Sequence, residues 1–262
     1  EIGIKAVWRE IGSEIGYRGF IDCVRKGVFR SRDLMAIVDL LGIEYSHAYD
    51  GIDRIAVRRQ LGKTGRLSKW ISLPKRLEDF KRFLYVLGLL FADGDGDANL
   101  NTRSKELKKA YIDTLKEVFG IETRILQLRT CPRIQHKGGL TFKLFLNLIF
   151  EYPLKNKVEN IAVPKIIHMM PNDLIIEFLR GYMDGDGYVN QNQRSVELFT
   201  KSRKMLKSLQ TLLLRIGIRA TIKEKGDGGI LRISSVEALK FSEKVSFHLK
   251  LSLIHISEPT RP

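Results

Sequence analysis

The chain has 262 residues, with 45 Lys and Arg against 30 Asp and Glu, a formal net charge of +15 and a pI near 9.8. An excess spread along the chain in this way predicts a polyanionic partner, because Lys and Arg contacts to phosphate supply most non-specific DNA affinity. Two cysteines, Cys23 and Cys131, are too few for a disulfide framework or a zinc site and fit a reducing cytosol. The five histidines, His47, His136, His168, His248 and His255, show no metal-ligand spacing and read as structural. No apolar run reaches membrane-spanning length, so a soluble, cytoplasmic protein with no membrane partner is expected.

In chain order, Trp8 to Ile15, a turn at Gly16, Tyr17 to Lys26 and Ser31 to Leu41 read as short helices of a domain over residues 1–48. They resemble the helix-turn-helix of repressor-like domains, which would bring Tyr17, Arg18 and Arg25 near DNA; a small helical packing domain is the alternative. Residues 49–80 read as a connector, strongly basic from Arg54 to Lys69 and ending in Ile71-Ser72-Leu73-Pro74.

The next apolar segment, from Phe83, closes on Gly88-Leu89-Leu90-Phe91-Ala92-Asp93-Gly94. The pattern returns 93 residues later, where Leu174 to Arg180 runs into Gly181-Tyr182-Met183-Asp184-Gly185-Asp186-Gly187. If both segments are helical, Gly88 and Ala92 share one face, as do Gly181 and Gly185, and the two backbones can pack closely with Asp93 and Asp186 side by side. An acid at a helix C-terminus beside a second acid is costly and calls for a compensating cation. Hard oxygen ligands without Cys or His point to Mg2+ rather than zinc, with Mn2+ able to substitute.

After the first motif, Ser104 to Phe119 reads as a basic amphipathic helix with Leu107, Tyr111, Leu115, Val118 and Phe119 inward. After the second, Arg203 to Ile216 repeats it with Leu206, Leu209, Leu213 and Ile216 inward. Each is expected to lead into a strand pair: Thr123 to Arg129 with Leu140 to Leu144 around Lys137-Gly138-Gly139, and Ala220 to Lys225 with Ile230 to Ile233 around Gly226-Asp227-Gly228-Gly229. Strand alternation then puts Gln127, Arg129, Thr141, Lys143, Lys223, Lys225 and Arg232 on an outer face fit to lie in a major groove, and Asn190 and Arg194 join them as candidate DNA contacts. An ordinary solvated sheet face is the alternative.

These residues resemble the homing endonucleases named for the LAGLIDADG motif, in the single-chain form with two motifs. Val86 to Gly94 supplies V-L-G-L-L-F-A-D-G and Leu179 to Gly187 supplies L-R-G-Y-M-D-G-D-G. The resemblance, from about Phe80 to Lys250, implies an α+β fold: two pseudo-symmetric αββαββα halves, 81–152 and 173–250, joined by a linker at 153–172 and packed through the motif helices. It implies a monomer with an internal two-fold that straddles double-stranded DNA, metal bound by Asp93 and Asp186 and hydrolysis of one phosphodiester on each strand with short 3′ overhangs. The carbonyls of Ala92 and Gly185 would complete the metal shell. Family members also use lysines near the site. Lys157 and Lys250 each lie 64 residues after a motif acid and are the candidate catalytic pair, with Lys155 as fallback; plain surface lysines are the alternative.

Departures from the pattern set further expectations. Only eight residues separate Asp93 from Thr102 against thirteen between Asp186 and Thr200, leaving the first half little room for its opening hairpin. Asp95, Asp97 and Asp184 read as turn or interface residues. Residues 251–262 look like the translation of a sequencing adapter, and a native end at Lys250 would remove a closing helix from the second half. The layout is similar to the endonuclease portion of an archaeal or bacterial intein, yet Glu1 is no Cys or Ser nucleophile and no His-Asn pair precedes the tail. A non-cleaving DNA-binding regulator or RNA maturase on the same scaffold is the alternative function.

Overall fold

From Ile4 to Asp50 the chain forms four short helices: α1 (Ile4–Glu10), α2 (Tyr17–Lys26), α3 (Ser31–Leu40) and α4 (Tyr45–Asp50). The computed structural model describes residues 3–61, 64–154, 157, 161–190 and 192–245, and the chain divides into two units between Asp53 and Arg54. In the first unit, α2 and α3 fall where the periodicity predicts. The first helix does not: it lies at Ile4–Glu10 rather than Trp8 to Ile15, because Gly12 takes a positive φ of 57° just beyond it. The Trp8 indole N–H then donates to the Ile15 carbonyl at 2.7 Å. Tyr17 packs its ring 5.5 Å from that of Trp8, while Arg18 and Arg25 are exposed. Among the described residues of this unit, Phe20 and Val38 are the buried apolar side chains.

The second unit opens with strands in place of the expected connector. β1 (Arg54–Ile55) pairs with β4 (Ile71–Ser72), and β2 (Arg58–Leu61) pairs with β3 (Thr64–Leu67). The Val57 N–H donates to the Thr141 hydroxyl at 3.2 Å, tying this segment to a residue 84 positions further along the chain.

The first half then runs α5 (Leu77–Asp93), β5 (Leu100–Asn101), α6 (Lys105–Phe119), β6 (Thr123–Leu126), β7 (Arg133–His136) and α7 (Gly139–Phe150). After α8 (Lys165–Met169), the second half runs α9 (Asn172–Asp186), β8 (Gly187–Asn190), β9 (Ser195–Thr200), α10 (Arg203–Arg215), β10 (Thr221–Lys225), β11 (Gly228–Ser234) and α11 (Ser235–Lys244). The second half is therefore αββαββα with an antiparallel sheet ordered β10-β11-β9-β8. The first has a sheet ordered β5-β7-β6. Its opening hairpin is reduced to the Gly94–Leu100 bridge, the counterpart of the Gly187–Leu198 pair that begins β8.

The halves repeat each other down to side-chain bonds. Thr102 accepts from the Ser104 N–H at 3.2 Å and Ser104 caps α6 through the Leu107 N–H at 3.2 Å; Thr200 and Ser202 do the same for α10, at 3.3 and 3.2 Å. Both helices close on a left-handed glycine, Gly120 at φ 63° and Gly217 at φ 80°. The residues predicted to face inward on α6 and α10 are buried.

Two further expectations are overturned. Leu140 to Leu144 is no strand but the first part of α7, so Thr141 is buried and Lys143 pairs with Asp97; the true partner of β6 is Arg133–His136. The apolar run continues to Phe150, and a run of that length folds as a helix whose Phe142, Leu146 and Phe150 meet the core. The second half is also not without a closing helix, since α11 follows β11 and buries Ala238 and Phe241.

Candidate metal and nucleic-acid site

Helices α5 and α9 cross at the centre of the second unit, main chain against main chain. A β-carbon on Gly88 would lie 2.2 Å from the Phe178 carbonyl oxygen, and one on Gly181 would lie 1.9 Å from that of Tyr85. One turn further on, a β-carbon on Gly185 would meet that of Ala92 at 2.5 Å, with an Asp93 carboxylate oxygen 3.6 Å away. Gly88, Ala92, Gly181 and Gly185 thus form the predicted seam, and it delivers Asp93 to the C-terminal end of α9.

Both helices stop in the same way. Gly94 and Gly187 follow the acids with φ −75° and ψ 153°, ordinary extended backbone, so glycine is needed for room and not for its dihedral freedom. A β-carbon at Gly94 would stand 2.4 Å from the Leu90 carbonyl oxygen, and one at Gly187 would stand 2.5 Å from that of Met183.

Part of the compensating charge belongs to the chain itself. The Lys157 ammonium donates to the carbonyls of Leu90, Ala92 and Gly94 at 3.0, 2.9 and 2.6 Å, saturating the C-terminal end of α5 where the helix dipole is negative. Burial pulls its pKa down to about 8, against the opposing fields of Asp186, Asp93 and Asp95. Lys157 therefore stands at the acid pair, and the Ala92 carbonyl, expected to bind metal, accepts from it. Lys155 and Lys250 lie outside the described residues.

The surrounding polar groups hold this centre together. Tyr152 donates to the Asp95 carbonyl at 2.6 Å, and Tyr85 donates across the helix pair to the buried Asp184 carboxylate at 2.8 Å. Tyr182 is fully buried, and burial followed by the field of Asp186 raises its pKa well above the ordinary value. Asp95 accepts from the N–H groups of Asp97 and Asn99, which makes it a turn residue, and Asp184 lies at the helix interface.

The donor set suits a hard cation: two carboxylates and the last carbonyls of two helices, all oxygen. Among the described residues no group of three or more His, Cys, Asp or Glu is gathered to hold a metal. A cation here would thus take the remainder of its shell from water or a substrate phosphate, which is how magnesium is usually bound.

The predicted DNA contacts divide. Lys223 and Lys225 are exposed and share with Thr221 the face of β10 opposite the buried Leu198 and Leu231. Arg232 is on that face too, paired with Glu197 at 2.7 Å. Asn190 donates to the same Glu197 at 3.5 Å, and Arg194 sits in the turn before β9 with φ 45°. Gln127 and Arg129 are exposed but lie in the loop between β6 and β7, while Thr141 and Lys143 ride on α7. The outer face of the first sheet instead carries Asn101, Arg124, Arg133 and Gln135. The signal for the last two was the alternation Arg133-Ile134-Gln135-His136 just after Cys131-Pro132.

Comparison with known proteins finds the LAGLIDADG-like domain model over residues 173–246. The chain is 32% identical over 201 residues to the probable translation initiation factor IF-2 of Methanocaldococcus jannaschii, which covers 76% of this chain and 16% of that protein. It is 30% identical over 242 residues to elongation factor 2 of Methanopyrus kandleri, 92% of this chain and 18% of that one. A DNA polymerase of Thermococcus hydrothermalis is 36% identical over 96 residues, 37% of this chain and 6% of the other. The chain thus spans less than a fifth of the length of these relatives. Among solved structures, I-DmoI in complex with DNA and Mn matches with a TM-score of 0.50 at 18% identity, covering 65% of this chain and 99% of that one. Full-length DUF199/WhiA from Thermatoga maritima matches at 0.51 and 17%, covering 70% and 61%. At these identities the likeness is one of fold.

Proposed function

Residues 173–246 form a LAGLIDADG-like domain, and from that premise we propose that the chain is a site-specific double-strand DNA endonuclease of the homing type. The observation that carries the reading is the convergence of Asp93, Asp186 and Lys157 at the C-terminal ends of two closely packed helices. Binding alone gives no reason to concentrate carboxylates on a chain of formal charge +15.

In this reading Asp93 and Asp186 hold Mg2+, for which Mn2+ substitutes, with the Gly185 carbonyl and the Ala92 carbonyl shared with Lys157. A bound divalent cation would supply an activated water and stabilise the developing charge on the leaving 3′ oxygen. The chain's own groups do the rest. Lys157, charged below about pH 8, places a cation beside the acids and keeps the end of α5 from shifting. The glycine seam fixes the spacing of the two acids across the strands and with it a short 3′ overhang. The outer faces of the two sheets bind duplex DNA, Lys223 and Lys225 contacting phosphate.

We further propose that the segment is carried inside a host protein as an intein. Parts of this chain are similar to parts of a probable translation initiation factor and of a DNA polymerase, two proteins of different function, so what is shared is the insert and not the host's activity.

A second reading, a DNA-binding regulator that does not cut, draws on the fold likeness to WhiA and on the Ala92 carbonyl already being engaged by Lys157. Incubating the chain with a randomised duplex library and Mg2+, then capturing double-strand ends, separates the two. Cut products with short 3′ overhangs support the nuclease. Tight binding by folded protein without any cut ends rejects it and favours the regulator.

A further inference from the structure

On the outer face of the second sheet one row of side chains crosses every strand. Tyr188 on β8 stands opposite Glu197 on β9, Glu197 opposite Arg232 on β11, and Arg232 opposite Thr221 on β10. Val196, Leu198, Leu231 and Ile233 alternate with this row and fill the core on the other side.

Glu197 is a carboxylate only 2% exposed on a face that should be solvated. It accepts from the Tyr188 hydroxyl at 2.6 Å, from Ser195 at 2.8 Å and from Asn190 at 3.5 Å, and its partner is the Arg232 Nε at 2.7 Å. Burial by itself would raise the Glu197 pKa; the bonds from Tyr188 and Ser195 and the charge of Arg232 outweigh it and hold the group low. The bond to Glu197 pushes Tyr188 up to about 12, so both groups keep their charge states near neutral pH.

Stability is a poor reason to bury such a pair, since buried ion pairs commonly gain little over apolar residues of the same size. Orientation is a better one. Glu197 is itself fixed by Tyr188 and Ser195, and its carboxylate lies 2.7 Å from the Arg232 Nε as an ion pair that tethers the guanidinium by charge; the accessible part of the pair belongs to Arg232, whose side chain is 20% exposed against 2% for Glu197. The two terminal amino groups of a guanidinium form a fork, the donor geometry that matches guanine O6 and N7 in the major groove. The first sheet differs at the same place. Leu100 and Ile134 pair there as Leu198 and Leu231 do here, which puts Gln135 where Arg232 stands.

We infer that Arg232 reads a guanine in the half-site covered by the second half, and that Glu197 is the residue that positions it. This rests on the proposed binding of DNA by the sheet faces.

The test is affinity selection from a randomised duplex pool without Mg2+, using the full chain, Glu197→Gln and Arg232→Gln, each checked for folding by circular dichroism. Wild type is expected to enrich a motif containing one guanine that Glu197→Gln weakens by about tenfold while other positions hold. Arg232→Gln is expected to turn that guanine into adenine, the base Gln pairs with best, a change that lost packing cannot produce. If both variants enrich the wild-type motif unchanged, the inference fails and DNA binding stands. If wild type enriches nothing, the DNA-binding reading fails and takes the inference with it. Should Glu197→Gln not fold, the base chosen by Arg232→Gln decides.

Discussion

Gly181 lies directly under the main chain of Tyr85: a β-carbon there would stand 1.9 Å from the Tyr85 carbonyl oxygen, a distance no side-chain adjustment can relieve because the obstacle is backbone. Gly88 faces the Phe178 carbonyl in the same way, at 2.2 Å. Gly181→Ala or Gly88→Ala must therefore push α5 and α9 apart. The expected cost is at least about 1–3 kcal/mol, the usual range for overpacking. Chemical denaturation measures it, and an unchanged midpoint for both variants would contradict the close seam.

Charge removal at the acids should separate cutting from binding. Asp93→Asn and Asp186→Asn keep shape but lose the negative charge that a divalent cation needs, so cleavage is expected to fall by about a hundredfold or more. Binding to duplex DNA should hold or tighten, since like charge is removed from the DNA side. Cleavage gels and filter binding on the same samples give both numbers; full cutting by either variant would remove that acid from the mechanism.

Lys157 makes a pH prediction with a definite sign. Its pKa in the fold, about 8, is below the free-lysine value of 10.5. Below about pH 8 it is charged in both folded and unfolded chains, and its burial counts in full against the fold. As pH rises from about 8 toward 10.5 the unfolded chain holds the proton longer, so this group adds stability with rising pH. The stability of wild type relative to Lys157→Met should climb across that window, and a flat difference would contradict the assignment. If the ammonium serves cleavage, wild-type cutting falls over the same range.

The Tyr85 hydroxyl supplies the buried Asp184 carboxylate with a bond at 2.8 Å across the helix pair. Tyr85→Phe leaves the ring in place and deletes that donor. A hydrogen bond to a charged group contributes about 1.5–3 kcal/mol, so a loss of that order is expected in urea unfolding at neutral pH. A loss within a few tenths would mean that water replaces the hydroxyl.

Acid should act through Glu237. The Arg219 N–H, at 2.8 Å, and the Lys240 ammonium, at 2.9 Å, draw its pKa down to about 2 from 4.5. The stabilisation is complete above about 4.5 and is lost as pH falls toward 2. Glu237→Gln should flatten the acid limb of the wild-type stability curve there; a parallel limb would place the acid sensitivity elsewhere.

What was legible in the sequence was whatever a short window determines. The glycine spacing at Gly88 and Gly181, the apolar stripes of α6 and α10 and their closing glycines Gly120 and Gly217 all follow from local periodicity and turn chemistry. The second hairpin followed as well, with a turn at Gly226-Asp227 tighter than expected. What failed were competitions between periods. Leu140 to Leu144 alternates as a strand for five residues, and only its continuation to Phe150 makes it a helix. The Glu197 row was out of reach because Tyr188, Glu197, Arg232 and Thr221 meet only through strand register, which no single segment carries. Lys157 was singled out by the resemblance to the family's basic loop together with its spacing from Asp93, while its three carbonyl partners depend on how the chain returns to the end of α5.

The seam between α5 and α9 has one more consequence. Because the helices touch through main-chain atoms at Gly88 and Gly181, the gap between Asp93 and Asp186 is set by peptide geometry and owes little to the side chains around it. Residues on the sheets can change over generations without resetting that gap. The molecule thus works like a gauge with a forged jaw and exchangeable plates: inheritance must copy a few glycines faithfully, and it is free to rewrite the surface that they carry.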